Sequence, residues 1–278
     1  MSDKQDKTNE NSATALNAQD YLAINQQGWD SRVSTHVESR FYDVVGFKAG
    51  NSSLNGIELE LLGDVTAKRM LHLQCHFGLD SLSWARLGAK VTGVDISPAA
   101  IAQAESLNIE CQLDADFICS DVYQSVSFAK AEYDIAFTSY GALCWLPSME
   151  QWAQTVAAHL KPGGIVYLVE FHPLHDVFDG YPYFHQQQPD IDVEGTYTEN
   201  CDGSEVTLMT WAHPVSDVIN ALINAGLEIM AFNEYDYSPY PCFEGLVAKN
   251  HSNGQEVYQY FHQQQAVPLT YSIKARKK

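Results

Sequence analysis

From Arg69 onward, short apolar runs alternate with stretches in which apolar residues recur every three or four positions. That alternation predicts strands interleaved with helices, hence a parallel sheet covered by helices. The expected strands are Arg69–Cys75, Lys90–Ile96, Ala115–Ser120, Tyr133–Ser139, Ile165–Phe171, Leu227–Glu234 and Pro268–Ala275. The run at Ile165–Phe171 is nearly continuous, as expected of a strand buried on both faces. Between the strands, Leu79–Leu87 reads as a helix closed at Gly88, and Ser97-Pro98 is an N-cap and first-turn signal for Ala99–Leu107. Ser148-Met-Glu-Gln151 has capping-box spacing ahead of a helical face formed by Met149, Trp152, Ala153, Val156 and Leu160. Val215, Val218, Ile219, Leu222 and Ile223 mark a further helix, stopped at Asn224-Ala-Gly226.

The flanks change this picture in three places. Residues 1–18 are polar and read as a disordered tail, because they carry too little apolar surface to offset chain entropy. Tyr21–Val45 mixes aromatic and polar residues, as in a helical extension packed on the domain at 19–278. Residues 172–212 and 236–267, rich in Tyr, Phe, Pro and Gln, lack clear periodicity and read as lid insertions.

Composition narrows the function. Asp and Glu number 35 against 16 Lys and Arg, for a formal charge of -19, and the basic residues do not cluster, so a nucleic-acid partner is not expected. No secretory-type apolar core and no membrane-length apolar run is visible, which leads to the expectation of a cytoplasmic protein without a membrane partner. The six cysteines are scattered without a Cys-x-x-Cys pair and read as buried thiols rather than disulfides or metal ligands.

In an open α/β sheet, ligands sit beyond the carboxyl ends of the strands. The residues there are Gln74-Cys-His76-Phe-Gly78-Leu-Asp80, Asp95-Ile96, Asp121-Val122 and Ser139-Tyr140. Asp95 lies 17 residues beyond Gly78, near the ~20-residue spacing at which an acid accepts ribose hydroxyls. Asp121 is placed to accept from an adenine amino group. Either acid alone reads first as an N-cap or turn residue; the two at the ends of successive strands reverse that preference in favour of a nucleoside.

These segments resemble the class I S-adenosylmethionine-dependent methyltransferases, in a bacterial branch of the superfamily. The carriers are LHLQCHFGLDSLSWARLGAKVTGVDIS, Ser97-Pro-Ala-Ala-Ile101, Asp121-Val122, YDIAFTSYGALCWL and LKPGGIVYLVEFHP. The resemblance implies a Rossmann-like seven-stranded, mostly parallel sheet with helices on both faces, and S-adenosylmethionine as cofactor. It further implies that the backbone from Gln74 to Gly78 holds the methionyl end, that Asp95 holds the ribose and that Ile96 packs on adenine. Asp121-Val122 would read the adenine amino edge, with Ser139 near the methionyl group and Asp80 an intact acid of the site. The departure from the family is in the first loop, usually Asp-x-Gly-x-Gly-x-Gly: His72 stands at the acid, Gln74 and His76 replace two glycines, and Gly78 remains. NAD-linked redox chemistry is a rival use of a ribose-binding acid, but a pyrophosphate needs the glycine-lined helix N-terminus that this loop has largely lost. A non-catalytic S-adenosylmethionine sensor is the alternative of a different class.

Methyl transfer needs water excluded, the acceptor aligned and, for some acceptors, a proton removed. The base candidates after the fourth and fifth strands are Tyr140 and His172, with Glu170 and His213 as further possibilities. His172, His175, Asp176, Asp179 and His185 suggest a metal at first sight, but the proline at 173 prevents a regular helical His pair, and no metal is expected. Between Pro162 and Ala248 there are fourteen carboxylates and no Lys or Arg. Phosphorylated acceptors ordinarily meet a basic clamp, so a neutral or cationic small molecule is the expected acceptor.

Overall fold

The computed structural model describes residues 20–124, 131–241, 243–251 and 254–278; the proposed tail at 1–18 and Cys242 lie outside the described residues. The chain opens with helix α1 (Tyr21–Glu38), followed by α2 (Val44–Lys48) and α3 (Gly56–Leu62). Then come β1 (Arg69–Leu73), α4 (Leu79–Arg86), β2 (Lys90–Asp95), α5 (Pro98–Glu110), β3 (Ala115–Cys119), β4 (Tyr133–Ser139), α6 (Met149–His159) and β5 (Leu160–Phe171). The rest comprises α7 (Leu174–Phe178), the hairpin β6 (Asp190–Glu194) and β7 (Val206–Thr210), α8 (Val215–Asn224) and β8 (Leu227–Tyr235). Two short hairpins follow, β9 (Val247–Asn250) with β10 (Glu256–Gln259) and β11 (Phe261–His262) with β12 (Gln265–Ala266), before the final strand β13 (Thr270–Lys277).

Seven strands form one sheet in the order β3-β2-β1-β4-β5-β13-β8. β1 to β5 run parallel, and β13 lies antiparallel between β5 and β8. Period-two alternation divides the core. Leu71, Leu73, Ala136, Val166 and Leu168 face one side with Trp152 and Val156 of α6 and Val218 and Leu222 of α8. Met70, Ile135, Phe137, Tyr167 and Val169 face the other with Ile57 of α3 and Trp84 of α4. Both helix starts read from sequence are present: Ser97 Oγ accepts from Ala100 N, and Ser148 Oγ accepts from Gln151 N.

Three expectations need correction. β5 begins at Leu160, which pairs with Tyr133 of β4; residues 161–164 then bulge out of register, with Gly163 left-handed, before Ile165 pairs with Ile135. The insertions are not irregular: they hold the β6–β7, β9–β10 and β11–β12 hairpins, which periodicity misses because their strands are short, β6, β9 and β11 are mostly exposed, and β7 buries the adjacent Leu208 and Met209 rather than alternate positions. Cys119 and Cys201 are exposed rather than buried; Cys75, Cys111 and Cys144 are the more covered of the free thiols. Among the described residues no helix is long and apolar enough to cross a membrane, and no three His, Cys, Asp or Glu side chains converge as metal ligands.

Helix α1 lies across the carboxyl ends of the strands. The Asn25 side chain pairs with both backbone groups of Met209 on β7, accepting from its N at 2.9 Å and donating to its O at 2.8 Å. Gln26 Nε2 donates to Ile96 O at 2.6 Å, and Asp30 Oδ1 accepts from Ser97 Oγ and Ala99 N at the start of α5. These bonds tie one helix to both the sheet and the β6–β7 hairpin, and so fix a roof over the strand ends.

Candidate active site

The strand order reverses between β1 and β4, and a cleft of about 730 Å³, its open mouth included, lies there. Of the residues singled out from sequence, Gln74, His76, Asp95, Ile96, Asp121, Val122, Ser139 and Tyr140 line it. Gly78, Asp80 and His172 do not.

The first loop keeps a glycine-type backbone without the glycines. Gln74 (φ 58°), His76 (φ 49°) and Gly78 (φ 82°) are all left-handed, a conformation that costs a residue with a Cβ ~1 kcal/mol or more. Gly78 is irreplaceable for a different reason: a Cβ there would meet the Phe117 ring at 2.8 Å and Ala104 Cβ at 2.9 Å. It permits α4 to start hard against β3 and α5. Gln74 donates from Nε2 to Ala142 O at 2.6 Å, while its Oε1 is buried in the wall without a partner.

At one end of the cleft stand the two acids. Asp95 accepts from His76 N at 2.8 Å and Ser97 N at 3.0 Å, and burial pushes its carboxyl up to about 6 against the pull of those amides. Each oxygen retains acceptor capacity for a further donor. Asp121 accepts from Tyr123 N at 3.0 Å, and burial raises its carboxyl too. Tyr21 of α1 lies close enough for the Asp121 charge to add to burial in pushing its phenol up to about 12.

Aromatic rings close the other end. Trp29 of α1 meets Trp145 edge-on with ring centroids 5.2 Å apart and His76 at 5.1 Å. The Tyr42 and Tyr197 hydroxyls bond each other across the gap between the N-terminal extension and the β6–β7 connection. Behind them His36 Nδ1 contacts His76 Nε2 at 2.8 Å, and His36 Nε2 contacts Thr196 Oγ1 at 2.6 Å. Burial and the Arg32 charge hold His36 down to about 4, and burial holds His76 well below its usual range, so both rings are neutral.

Asp80 sits behind this wall, accepting from Ser53 Oγ at 2.6 Å and Ser139 Oγ at 3.2 Å. His172 is not brought to the cleft: its Nε2 faces Glu234 at 3.0 Å, and its Nδ1 accepts from Leu174 N at 3.1 Å. Glu170 is buried and accepts from the amides of Gly141, Ala142 and Leu143, which orients the turn carrying Tyr140 and Trp145. His213 is buried against Leu146 O at 2.7 Å. Among the described residues, none of the fourteen carboxylates between Pro162 and Ala248 lines the cleft, and neither does any Lys or Arg. Arg32, Arg40 and Lys48 pair with Glu194, Glu199 and Glu110. Sequence reasoning missed Trp29, Tyr42, Trp145 and Tyr197; the aromatic recurrence in Tyr21–Val45 was a signal for the first two, but not for the direction in which they point.

A seven-stranded sheet of this order, with acids ending β2 and β3 at a cleft on the switch point, has the fold of the class I S-adenosylmethionine-dependent methyltransferases. Residues 70–164 match the family model described as a methyltransferase domain. A ubiquinone biosynthesis O-methyltransferase from Xanthomonas oryzae pv. oryzae is 29% identical over 133 residues, 47% of this chain and 55% of that protein. The chain thus spans about half the length of the curated relatives it matches. Among solved structures, a SAM-dependent methyltransferase from Methanosarcina mazei superposes with TM-score 0.56 at 21% identity, covering 81% of this chain and 98% of that one. The [4+2]-cyclase SpnF superposes with TM-score 0.54 at 17% identity over 91% of this chain and 96% of its own. These similarities in fold leave the reaction to be argued from the site.

Proposed function

We propose that the chain transfers a methyl group from S-adenosylmethionine to a neutral or cationic small molecule. The observation that carries this reading is a single cleft with nucleoside-type acids at one end and, at the other, an aromatic enclosure free of Lys and Arg among the described residues. S-adenosylmethionine fits the residues present. Asp95 would accept the ribose hydroxyls, Ile96 and Val122 would cover the adenine faces, and Asp121 would accept from its amino group. The unpartnered Gln74 Oε1 supplies an acceptor on the loop assigned to the methionyl end. When bound, the cofactor supplies a methyl already activated by the sulfonium charge. The chain's own residues then exclude water with Trp29, Tyr42, Trp145 and Tyr197 and align the acceptor beside Ser139 and Tyr140. Burial drives the Tyr140 phenol well above its ordinary range, so it keeps its proton.

The preferred acceptor charge rests on the cleft wall rather than on the acidic insertions. A phosphorylated acceptor would meet no basic clamp among the lining residues. Transfer of labelled methyl across matched neutral, amine and phosphorylated acceptors at two salt concentrations tests this; efficient, salt-weakened turnover of the phosphorylated member overturns it. A second reading, a cofactor-binding sensor without turnover, is favoured by the side chains at positions 74 and 76, which narrow a loop where glycines leave room for ligand. Release of S-adenosylhomocysteine in the presence of an acceptor separates the two.

A further inference from the structure

His76 holds a left-handed backbone (φ 49°) that a glycine would adopt without cost, so its side chain is present at the expense of strain. The ring lines the cleft and is half-buried, beside Trp29 at 5.1 Å and Tyr42 at 5.6 Å between ring centroids. Its Nε2 meets His36 Nδ1 at 2.8 Å, and the His36 ring, fully buried in α1, passes the contact on through Nε2 to Thr196 Oγ1 at 2.6 Å. The other nitrogen of His76, Nδ1, bonds no described residue. Among the described residues, the polar atoms sealed without a partner in this wall are Gln74 Oε1 and the Tyr140 hydroxyl; His76 Nδ1 is not one of them and stays open to the cleft. A buried chain from Thr196 through His36 thus ends on one reachable nitrogen.

Two neutral imidazoles in contact share one proton between the facing nitrogens. When His76 Nε2 supplies it, His36 Nε2–H donates on to Thr196 Oγ1, every contact in the chain is satisfied, and His76 Nδ1 is left as an acceptor. Burial chiefly, and with it the Arg32 charge, works against a second proton on either ring. Arg32 is held by Glu194 and Gly195 O, with its guanidinium carbon 5.8 Å from the centre of the Trp29 ring. This end of the cleft therefore already has a cation beside its aromatic wall, and a second one would meet repulsion. The acid nearest to His76, Asp95, accepts from the His76 amide and is the group assigned to the ribose.

Resting on the function proposed above and naming its acceptor, we infer that the cleft takes a neutral hydroxyl carried on an aromatic ring, and that His76 Nδ1 receives the hydroxyl proton while His36 positions the His76 ring. The rings of Trp29, Tyr42, Trp145 and Tyr197 surround the place left for the acceptor's own ring. In the step itself the hydroxyl oxygen bonds to the methyl carbon, the carbon–sulfur bond breaks with its electron pair left on sulfur, and the O–H proton passes to Nδ1. Without that transfer the oxygen would become a protonated ether, a far stronger acid than an imidazolium, so even a weakly basic ring takes the proton. The imidazolium, disfavoured by burial and by Arg32, then gives it up to water at the open mouth of the cleft. An amine nitrogen forms its bond to methyl without losing a proton in the step, and so has no need of His76.

The test uses the full chain at about pH 7.5, where 4-methylphenol and 4-methylaniline are neutral and benzylamine, of the same size, is an ammonium. By calorimetry, with and without S-adenosylhomocysteine, 4-methylphenol is expected to bind at least ~10-fold tighter than benzylamine, and roughly 5-fold more weakly to His76→Phe, which keeps a ring, than to the wild type. The ratio of labelled methyl transfer to 4-methylphenol over 4-methylaniline, which cancels any shared loss, is expected to fall at least ~30-fold in His76→Phe. His76→Gly, unstrained at this φ, serves if that variant fails to fold. The same ratio falls about 10-fold in His36→Leu and recovers in His36→Asn, whose amide oxygen can accept from His76 Nε2 as the His36 Nδ1 does. Benzylamine binding as tightly as 4-methylphenol, an unchanged ratio in the His76 variants, or transfer to 4-methylaniline with none to 4-methylphenol overturns the inference, the last while leaving the proposed methyl transfer standing. Failure of the wild type to bind S-adenosylhomocysteine, or to transfer methyl to either probe, overturns the function proposed above instead, and the binding series without the cofactor product still decides this one.

Discussion

At the adenosyl end of the cleft, Asp95, Ile96, Asp121 and Val122 come from two adjacent strand ends close together in the chain, and their positions follow from the strands themselves. At the aromatic end, Trp29, Tyr42, Tyr140, Trp145 and Tyr197 come from the N-terminal extension, the β4 turn and the β6–β7 connection. The first end is built by local rules of an open sheet, the second by contacts between segments more than a hundred residues apart, such as Asn25 with Met209 and Tyr42 with Tyr197. The difference teaches where to look for the acceptor: on the function proposed above, the strand-end acids would hold the nucleoside and the aromatic enclosure would hold what is methylated.

The largest expected effect breaks the adenosyl end. Asp95→Ala removes the carboxylate proposed to accept two ribose hydroxyls, and charge-assisted bonds of ~1.5–3 kcal/mol correspond to roughly 10- to 100-fold weaker S-adenosylhomocysteine binding by calorimetry. Unchanged affinity in a folded variant removes Asp95 from the site.

The next effect lies behind the aromatic end. Glu58, buried in the first turn of α3 where its charge bears on Tyr140, has its carboxyl raised from 4.5 to about 8, so its contribution to stability is fully present below the unfolded value and is lost as pH rises towards the folded one. Glu58→Gln lacks this loss. Its melting temperature therefore gains on the wild type between about pH 5 and 8, at ~2–4 °C per kcal/mol for a domain of this size. A gap independent of pH shows that Glu58 does not titrate there.

His36 tests the same end from the acid side. Its pKa is lowered from 6.5 to about 4, so its stabilising neutral form is fully effective above the unfolded value and its contribution is lost as pH falls through that window. The melting-temperature difference between wild type and His36→Gln should accordingly narrow from about pH 6.5 to about pH 4, by a few degrees at most. The smallest effect is expected at His172, whose ring nitrogens are engaged by Glu234 and Leu174 outside the cleft. His172→Asn should leave S-adenosylhomocysteine affinity within about 2-fold.

The sheet was legible because strands buried on both faces leave apolar runs, and their helices carry local start and stop signals such as Ser97-Pro98 and Ser148. The cleft residues at the strand ends were legible for the same reason: once a strand end is known, so is the residue beyond it. Asp80 and His172 also follow directly on recognised segments, yet neither lines the cleft, because sequence position does not say whether a side chain faces the ligand or the layer behind it. The first loop shows the limit most plainly. Gln74 and His76 look like lost glycines, and only the fold shows that the backbone keeps the left-handed turn while their side chains become part of the wall. The exposed hairpins of the insertions bury too little of themselves to impose a period. Sequence alone therefore determined the sheet, its helices and the nucleoside-type acids, which depend on short-range patterning. Only tertiary structure decided which aromatic residues close the cleft and that no basic side chain among the described residues reaches the wall, because those facts depend on how distant segments pack.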